Sequence, residues 1–320
     1  MILPVCLLVY ALCFVLVPPV IGFAWRIGAV DVPSDWRRMH PSAKPRAGGI
    51  AIFCSFGLGC VLLAPTSRPL LCMLGGGFLL LTVGLADDVF CLGAWTKLFF
   101  QTAATVAAVL GCGTVSTGHV LLSVLWVLLL TNAHNFIDGL DGLLSGSAVI
   151  EGGMLALAFL LGGRAEYAVF PLLLGVACLA FRHYNRYPAQ IFAGDCGSGT
   201  VGFLFGMLSM PLLELPPVTV GSLAPLFLFA YPLTDLFTAV IRRLMRGKSP
   251  FLADRAHLHH RIIAAGLTQP QTVGVLLSVF FVISLVGVTL CAGFYLAGSV
   301  TCLLAASVMM LMRRLILHGA

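Results

Sequence analysis

Long apolar runs follow one another through this 320-residue chain and constrain its fold more than any other feature. Hydrophobic residues make up 60% of the sequence and charged residues 9%, whereas a soluble domain carries about 25% charged residues. The longest polar insert, roughly residues 242–271, is too short to enclose a core of its own. We therefore predict an all-α, polytopic membrane protein that forms one integral-membrane domain over residues 1–320.

The apolar runs divide into about eleven spans, which we compare with the roughly 20 residues that a helix needs to cross a bilayer. The first charged residue is Arg26, behind the first run, and this indicates an uncleaved span rather than a signal peptide. The predicted spans are approximately Leu3–Phe23, Gly49–Ala64, Leu70–Ala86, Thr96–Cys112, His119–Thr131, Leu143–Leu161, Tyr167–Ala180, Thr200–Leu213, Leu223–Ile241, Thr272–Ala292 and Ala297–Met312.

The basic residues are distributed unevenly among the loops. If the N-terminus lies outside, the inner loops and C-terminal tail hold all Lys and Arg except Arg68 and Arg164. Cytoplasmic loops carry such an excess, so we predict an external N-terminus, a cytoplasmic C-terminus and a location in the inner (cytoplasmic) membrane of a cell. The predicted cytoplasmic loops are approximately residues 24–48, 87–96, 132–142, 181–199 and 242–271.

The aspartates cluster on the same predicted side. All nine lie in the cytoplasmic loops or at the inner ends of spans, although acidic residues contribute little to topology. Phosphate chemistry at a metal ion would explain this clustering, and it predicts an active site on the cytoplasmic face.

Four polar side chains recur at a spacing of three directly after the apolar run Val120–Leu130. On a straight α-helix the first and last would lie about 180° apart, whereas a 3₁₀ or broken segment would bring all four to one site. Amides and carboxylates bind nucleobases, ribose hydroxyls and metals, but they also form polar helix caps. The four residues are Asn132, Asn135, Asp138 and Asp141.

Two further acidic motifs lie at predicted span ends. Asp87 and Asp88 are adjacent carboxylates that a divalent metal or a role as a base would accommodate, and a solvated helix end is the alternative. Asp195 lies in the glycine-rich turn Ala193–Gly199, whose backbone N–H groups would attract phosphate. Magnesium fits such a turn, since it binds one or two carboxylates together with substrate phosphates; an ordinary capped turn is the alternative.

Two basic loops complete the pattern. The segment Arg242–Arg261 combines arginines with three histidines, His257, His259 and His260. A zinc site is one interpretation, but no Cys or Glu lies at ligand spacing, so a cationic lid over a pyrophosphate is favoured. The loop Asp31–Gly49 is basic and could meet a lipid phosphate. For Asp31–Gly49 the alternative is a positive-inside signal. For Arg242–Arg261 it is a positive-inside signal plus surface histidines, which would explain the arginines but not the histidine cluster.

Taken together and in order, these segments resemble the polyprenyl-phosphate N-acetylhexosamine-1-phosphate transferase family (glycosyltransferase family 4). The interrupted motif His257-Leu-His-His-Arg261 is similar to the branch that uses UDP-N-acetylglucosamine. The motifs that carry the resemblance are Asp31-Val-Pro…His40-Pro…Pro45-Arg-Ala-Gly-Gly49, Asp87-Asp88…Leu92…Lys97…Gln101, Asn132 to Leu143, Gly194-Asp195-Cys-Gly-Ser198 and Ser249-Pro-Phe…Ala253-Asp-Arg255…His257 to Arg261.

The resemblance implies a magnesium-dependent enzyme, with Mn²⁺ as the alternative metal. It would transfer N-acetylglucosamine-1-phosphate from the UDP-sugar to undecaprenyl (polyprenyl) phosphate and release UMP, in the first membrane step of cell-envelope polysaccharide synthesis. Its partners would be these substrates, membrane lipid and a second copy in a homodimer, without nucleic acid. Other UDP-N-acetylhexosamines and UDP-N-acetylmuramoyl-pentapeptide are alternative donors.

The resemblance also assigns roles to residues. Direct in-line displacement by the lipid phosphate is the favoured mechanism, and a covalent phosphosugar on Asp88 is the rival. The implied catalytic residues are Asp87, Asp88, Lys97, His257, His259 and His260; the metal ligands are Asp195 and Asp88; and the substrate-binding residues are Asn132, Asn135, Asp138, Asp141, His40, Arg46, Asp254, Arg255, Arg261 and Ser198.

Other classes of membrane protein fit the sequence less well. A transporter would show related polar positions in two halves and carboxylates near the middle of its spans, whereas here the polar groups lie at the predicted cytoplasmic side. An intramembrane prenyltransferase would need a third Asp after Asp87-Asp88, where Leu92 stands.

Overall fold

The computed structural model describes residues 2–32, 42–113, 116–214, 220–247 and 258–294. Nearly all of the regular structure in these ranges is α-helical. The helices are α1 (Ile2–Ile27), α2 (Gly48–Leu63), α3 (Arg68–Phe90), α4 (Ala94–Gly111), α5 (Thr117–Ile137), α6 (Leu143–Leu161), α7 (Val169–Asn185), α8 (Asp195–Leu213), α9 (Ala224–Leu228), α10 (Ala230–Met245), α11 (Leu258–Ala264) and α12 (Gln269–Cys291).

Helices occupy ten of the eleven predicted spans, and the last predicted span lies outside the described residues. Seven helical segments in the described residues are long and apolar enough to cross a membrane. The number rises to at most eight if a helical pair bent by 75°, Gly221–Leu228 and Ala230–Met245, counts as one span. The chain is therefore an all-α, multi-pass membrane protein, while the total of eleven spans and the orientation stay predictions.

Helix α8 packs unusually close to its neighbours because glycines line the contacts. A Cβ atom built on Gly84 of α3 would lie 2.5 Å from Cys196 Cα, and one built on Gly49 of α2 would lie 2.5 Å from Gly197 Cα. A Cβ built on Gly202 would lie 2.5 Å from the carbonyl oxygen of Leu130 in α5. Small residues let membrane helices approach each other closely. The first turns of α8 are thereby surrounded by α2, α3 and α5.

A short antiparallel ladder leads the chain into this centre. Strand β1 (Val30–Asp31) pairs with β2 (Lys44–Pro45), and the next residue, Arg46, bridges to Phe192. The backbone N–H of Phe192 donates to Pro45 O at 2.9 Å. The segment before α2 is thus attached to the segment before α8, which places Arg46 beside the first turn of α8. We call this end of the bundle, where α3 and α5 end and α8 begins, the site end.

Candidate active site

Three carboxylates and two cations meet at the start of α8. Lys97 Nζ lies 2.8 Å from Asp87 Oδ2 and 2.7 Å from Asp195 Oδ2. Arg46 Nη2 lies 3.2 Å from Asp195 Oδ1, and Arg46 Nε lies 3.4 Å from Asp88 Oδ1. If all five are ionised, acidic charge exceeds basic charge, so this carboxylate–cation cluster can accept a further cation together with a phosphorylated ligand.

The two adjacent aspartates of α3 are used differently. Asp88 Oδ1 accepts the backbone N–H of Asp195 at 3.0 Å, and its Oδ2 accepts that of Cys196 at 3.1 Å. These N–H groups open α8 and have no partner within that helix, so Asp88 caps a helix distant in sequence. Its side chain is fully buried, whereas those of Asp87 and Asp195 are 10% and 16% exposed and therefore accessible to a ligand.

The close grouping of charges shifts the pKa values of residues at the site end. Burial lowers the pKa of Arg46, but the carboxylates of Asp88 and Asp195 outweigh burial and hold that pKa above its usual value. Burial raises the pKa of Asp138 to about 7, against the opposing attraction of Arg46. In the absence of a ligand, the site end therefore holds Arg46 protonated and makes ionisation of Asp138 less favourable than in water.

Helix α5 brings two amides to the same place. Asn132 Nδ2 donates to Gln101 Oε1 of α4 at 3.1 Å, and Ser198 Oγ of α8 donates to Asn135 Oδ1 at 2.8 Å. Both asparagines line a cavity of about 90 Å³, which we call the site cavity. The polar residues of its wall include Lys97, Gln101, Asn132, Asn135 and Asp195. The apolar residues include Leu80, Val83 and Leu98.

The predicted break in this motif comes after its second asparagine. The helix continues to Ile137, and a turn then leads to Gly142, whose φ of +77° favours glycine. Asp138 lies at the start of this turn, half-buried, close enough to Arg46 and Asp195 for their charges to act on it. Asp141 Oδ2 accepts the backbone N–H of Ala189 at 2.9 Å, so its side chain attaches the turn to the loop before α8.

The histidine motif is described from Leu258 onward. His259 is buried against the turn after α5, since a Cβ built on Gly139 would lie 2.7 Å from His259 Nε2. The rings of His259 and His260 lie 4.4 Å apart, and Arg261 is exposed. This arrangement places His259 and His260 near Asp138. The other predicted site residues, His40, Asp254, Arg255 and His257, lie outside the described residues.

Helix α10 holds two buried charged residues: Asp235, which sequence reasoning did not single out, and Arg243, which belongs to the basic segment predicted as a cationic lid. Asp235 Oδ1 accepts the backbone N–H of Leu258 at 3.0 Å and so attaches α11 to α10. The Arg243 guanidinium lies 5.1 Å from the ring centroid of Phe136, next to Asn135. A charged residue within an apolar run was the available signal for Asp235.

No group of three or more His, Cys, Asp or Glu side chains in the described ranges is arranged to hold a metal ion. The donor set nevertheless fits magnesium, which commonly takes one or two carboxylates and completes its shell with substrate phosphates and water. Asp195 and Asp87 are partly exposed and share Lys97, whereas both oxygens of Asp88 already accept backbone N–H groups. The accessible pair Asp87 and Asp195 is thus better disposed to bind a metal than Asp88.

The fold and this site define a multi-pass helical membrane protein with a charged site at one end of its bundle. Residues 70–212 match the model of glycosyl transferase family 4. These residues include Asp87, Lys97, Asn132, Asn135 and Asp195.

Curated proteins extend the similarity beyond those residues. The chain is 31% identical over 297 residues to a "Probable undecaprenyl-phosphate N-acetylglucosaminyl 1-phosphate transferase" of Bacillus subtilis, covering 86% of this chain and 81% of the relative. It is 31% identical over 306 residues to a "Decaprenyl-phosphate N-acetylglucosaminephosphotransferase" of Mycobacterium tuberculosis, covering 80% and 74%. It is 28% identical over 279 residues to an "Undecaprenyl-phosphate alpha-N-acetylglucosaminyl 1-phosphate transferase" of Escherichia coli, covering 78% and 72%. The chain belongs to glycosyl transferase family 4, which confirms the predicted family.

Proposed function

We propose that the protein transfers N-acetylglucosamine-1-phosphate from UDP-N-acetylglucosamine to undecaprenyl phosphate and releases UMP. The observation that carries this proposal is the carboxylate–cation cluster beside the site cavity, in a chain whose relatives bear the names of such transferases. A part-apolar cavity at a membrane edge suits a lipid phosphate, and the cations suit a pyrophosphate. We place the reaction on the cytoplasmic face of the cell membrane.

The chemical step is a phosphoryl displacement. An oxygen of the lipid phosphate attacks the sugar-bearing phosphorus of the donor, and the bond from that phosphorus to the bridging oxygen breaks. UMP leaves with this oxygen, and the new pyrophosphate joins the lipid to the sugar. The lipid phosphate has a second pKa of about 6, so it needs little help from a base at neutral pH. Positioning and charge neutralisation are then the main contributions of the protein.

The described residues divide this work. Arg46 and Lys97 would hold phosphate oxygens, since each is partly exposed and already lies between carboxylates. Asp195 and Asp87 would hold Mg²⁺, or Mn²⁺ in its place, and the bound ion would stabilise charge that develops on the leaving phosphate. Asn132 and Asn135 would orient the donor in the site cavity. Direct displacement is favoured over a covalent phosphosugar on Asp88, because both oxygens of Asp88 accept backbone N–H groups.

The turn after α5 and helix α11 would form the opposite side of the donor site. Asp138 would accept hydrogen bonds from the uridine, and His259, His260 and Arg261 would contact the pyrophosphate or the sugar. Asp141 would act through the loop before α8, to which it is bonded.

The test is a reconstituted reaction with purified protein in detergent, Mg²⁺, undecaprenyl phosphate and one UDP-sugar at a time. Released UMP and the lipid product are both measured. We expect turnover with UDP-N-acetylglucosamine, loss of turnover in Asp195→Asn, and normal turnover in the matched control Glu166→Gln, an exposed acid outside the site. Turnover with a different donor alone would keep the reaction and change the sugar. Folded wild-type protein without turnover on any donor would contradict the proposal.

A further inference from the structure

A fully buried acid–base pair lies beside the site without belonging to it. His134 of α5 and Glu151 of α6 have no exposed surface, and His134 Nε2 lies 2.8 Å from Glu151 Oε2. Buried ionisable groups inside a membrane protein are costly and are usually there for function. Neither residue lines the site cavity, yet His134 directly precedes Asn135.

The hydrogen bonds define the chemistry of the pair. His134 Nδ1 lies 2.8 Å from the carbonyl oxygen of Leu130, which can only accept, so Nδ1 carries a proton. Glu151 Oε1 has no hydrogen-bond partner in the described part of the chain. One proton lies between Nε2 and Oε2, so the two side chains form a direct hydrogen bond that leaves Oε1 without a partner in the described residues. A glutamine at position 151 could also bond to Nε2, because its amide group offers both an N–H donor and an oxygen acceptor.

The imidazole is also held by packing. Its ring lies 5.9 Å from that of Phe205 with an interplanar angle of 22°, and 6.5 Å from that of Phe229 with an angle of 63°. A Cβ built on Gly202 would lie only 3.0 Å from His134 Cβ. The ring therefore has little freedom to turn away from Glu151.

Three side chains near the end of α5 bond to three different helices. Asn132 bonds to α4, Asn135 to α8 and His134 to α6. Around the helix axis, His134 points about 200° and Asn135 about 300° from the direction of Asn132, so the three bonds hold α5 from different sides. Both asparagines face the site cavity, and a bound donor would compete for their bonds. The bond from His134 to Glu151 is buried away from the cavity and can persist when substrate enters.

We propose that His134 and Glu151 are a positioning pair whose hydrogen bond sets the rotation of the site end of α5 and thereby places Asn135 and Asp138 for the donor. The pair touches no substrate and acts through the helix. The proposal rests on the proposed function, since it assumes that these two α5 residues bind the UDP-sugar. It predicts that losing the bond raises the KM for the donor, even in protein that is fully folded.

The experiment compares four variants of the full-length protein with wild type. Glu151→Gln keeps a hydrogen-bonding group for Nε2, and Glu151→Leu removes it. The double variant His134→Phe with Glu151→Leu removes both partners of the bond and leaves neither of them buried without a hydrogen bond. It therefore keeps the test possible if Glu151→Leu alone does not fold. The matched control is Ser209→Ala, which removes the buried 2.9 Å bond from Trp126 Nε1 to Ser209 Oγ, about 12 Å along α5 from His134.

The measurements are the KM and kcat for UDP-N-acetylglucosamine and the midpoint of thermal unfolding. We expect the KM to rise about tenfold in Glu151→Leu and in the double variant, the scale of one lost hydrogen bond. Glu151→Gln and Ser209→Ala should stay within about twofold of wild type in KM, although Ser209→Ala lowers the unfolding midpoint.

If the wild-type protein is active, two outcomes would contradict the positioning role of the pair and leave the proposed function intact. One is an unchanged KM in the folded double variant, and the other is an equal rise of KM in Ser209→Ala. A folded wild-type protein that turns over no UDP-sugar would contradict both the proposed function and the pair that depends on it.

Discussion

Asp87, Asp88 and Asp195 differ in what holds their oxygens. Asp87 accepts from the Lys97 ammonium, Asp88 from two backbone N–H groups, and Asp195 from two cationic side chains. Adjacent residues of α3 are thereby separated into an accessible acid and a buried helix cap. This difference makes the effects of replacing them separable by experiment.

We expect Asp88→Asn to destabilise the fold more than Asp87→Asn. An asparagine has one acceptor oxygen for the two N–H groups of Asp195 and Cys196, and a buried unsatisfied group costs about 1–3 kcal/mol. Asp87→Asn breaks a partly exposed ion pair with Lys97, and we expect less than about 1 kcal/mol. Both should lower activity. Thermal unfolding of the two purified variants in detergent measures the difference, and equal unfolding midpoints would contradict the cap.

The raised pKa of Asp138 predicts that the free energy of unfolding depends on pH. Burial raises its pKa in the folded protein to about 7, while an unfolded chain has the ordinary value of about 3.8. Between these values the folded state keeps a proton that the unfolded state has lost, so stability without ligand falls as the pH rises through that window. Asp138→Asn should flatten this slope. The check is the unfolding midpoint across the window with a chelator present, and an unchanged slope in Asp138→Asn would count against it.

At the scale of elements, glycine contacts determine how closely α5 and α8 pack. Gly202→Ala would place a methyl group 2.5 Å from the carbonyl oxygen of Leu130. This oxygen belongs to the backbone of α5, which cannot move aside as easily as a side chain. We expect a loss of about 1–3 kcal/mol and lower activity, since overpacking shifts the backbone. Gly75→Ala in α3 is the matched control, because its added Cβ meets nothing within 4 Å. Similar unfolding midpoints for the two variants would contradict the close contact.

Much of the secondary structure could be predicted because hydropathy is local. Helices occupy the predicted spans from Leu3–Phe23 to Thr272–Ala292. The bend between α9 and α10 was not predicted, since Leu223–Ile241 reads as one apolar run. The structure packs α9 closely on α12, where a Cβ built on Gly287 would lie 2.8 Å from Ala224 O. That contact joins distant parts of the chain and leaves no local signal.

The site shows the same division between local and distant information. The family resemblance implied that Asp87, Lys97, Asn135 and Asp195 belong to one site, and the structure brings them together. Spacing alone could not assign Asp88 to the backbone of α8, because its partners lie 107 and 108 positions later. The four-residue repeat left two interpretations open, one common site or polar caps, and the structure bonds Asp141 to the backbone of the loop before α8.

At the scale of the whole molecule, the orientation can be tested directly. We expect the site end to face the cytoplasm and the short segment Ala165–Tyr167 to face outside. An impermeant thiol reagent added to intact cells should modify Glu166→Cys above the wild-type background but leave Arg186→Cys, at the site end, unmodified. Inverted vesicles should give the opposite pattern. Labelling of Arg186→Cys in intact cells would reverse the assigned orientation.

The capping of α8 by Asp88 also has a consequence for biosynthesis. Arg46 and Lys97 are made 149 and 98 residues before their shared partner Asp195, and Asp88 is made 107 residues before it. A growing chain therefore contains Arg46, Asp88 and Lys97 before the residue that completes their contacts, Asp195, has been translated. The site is completed only when the ribosome passes α8. Products truncated before that point would lack both the backbone N–H groups that Asp88 accepts and the carboxylate that Arg46 and Lys97 share.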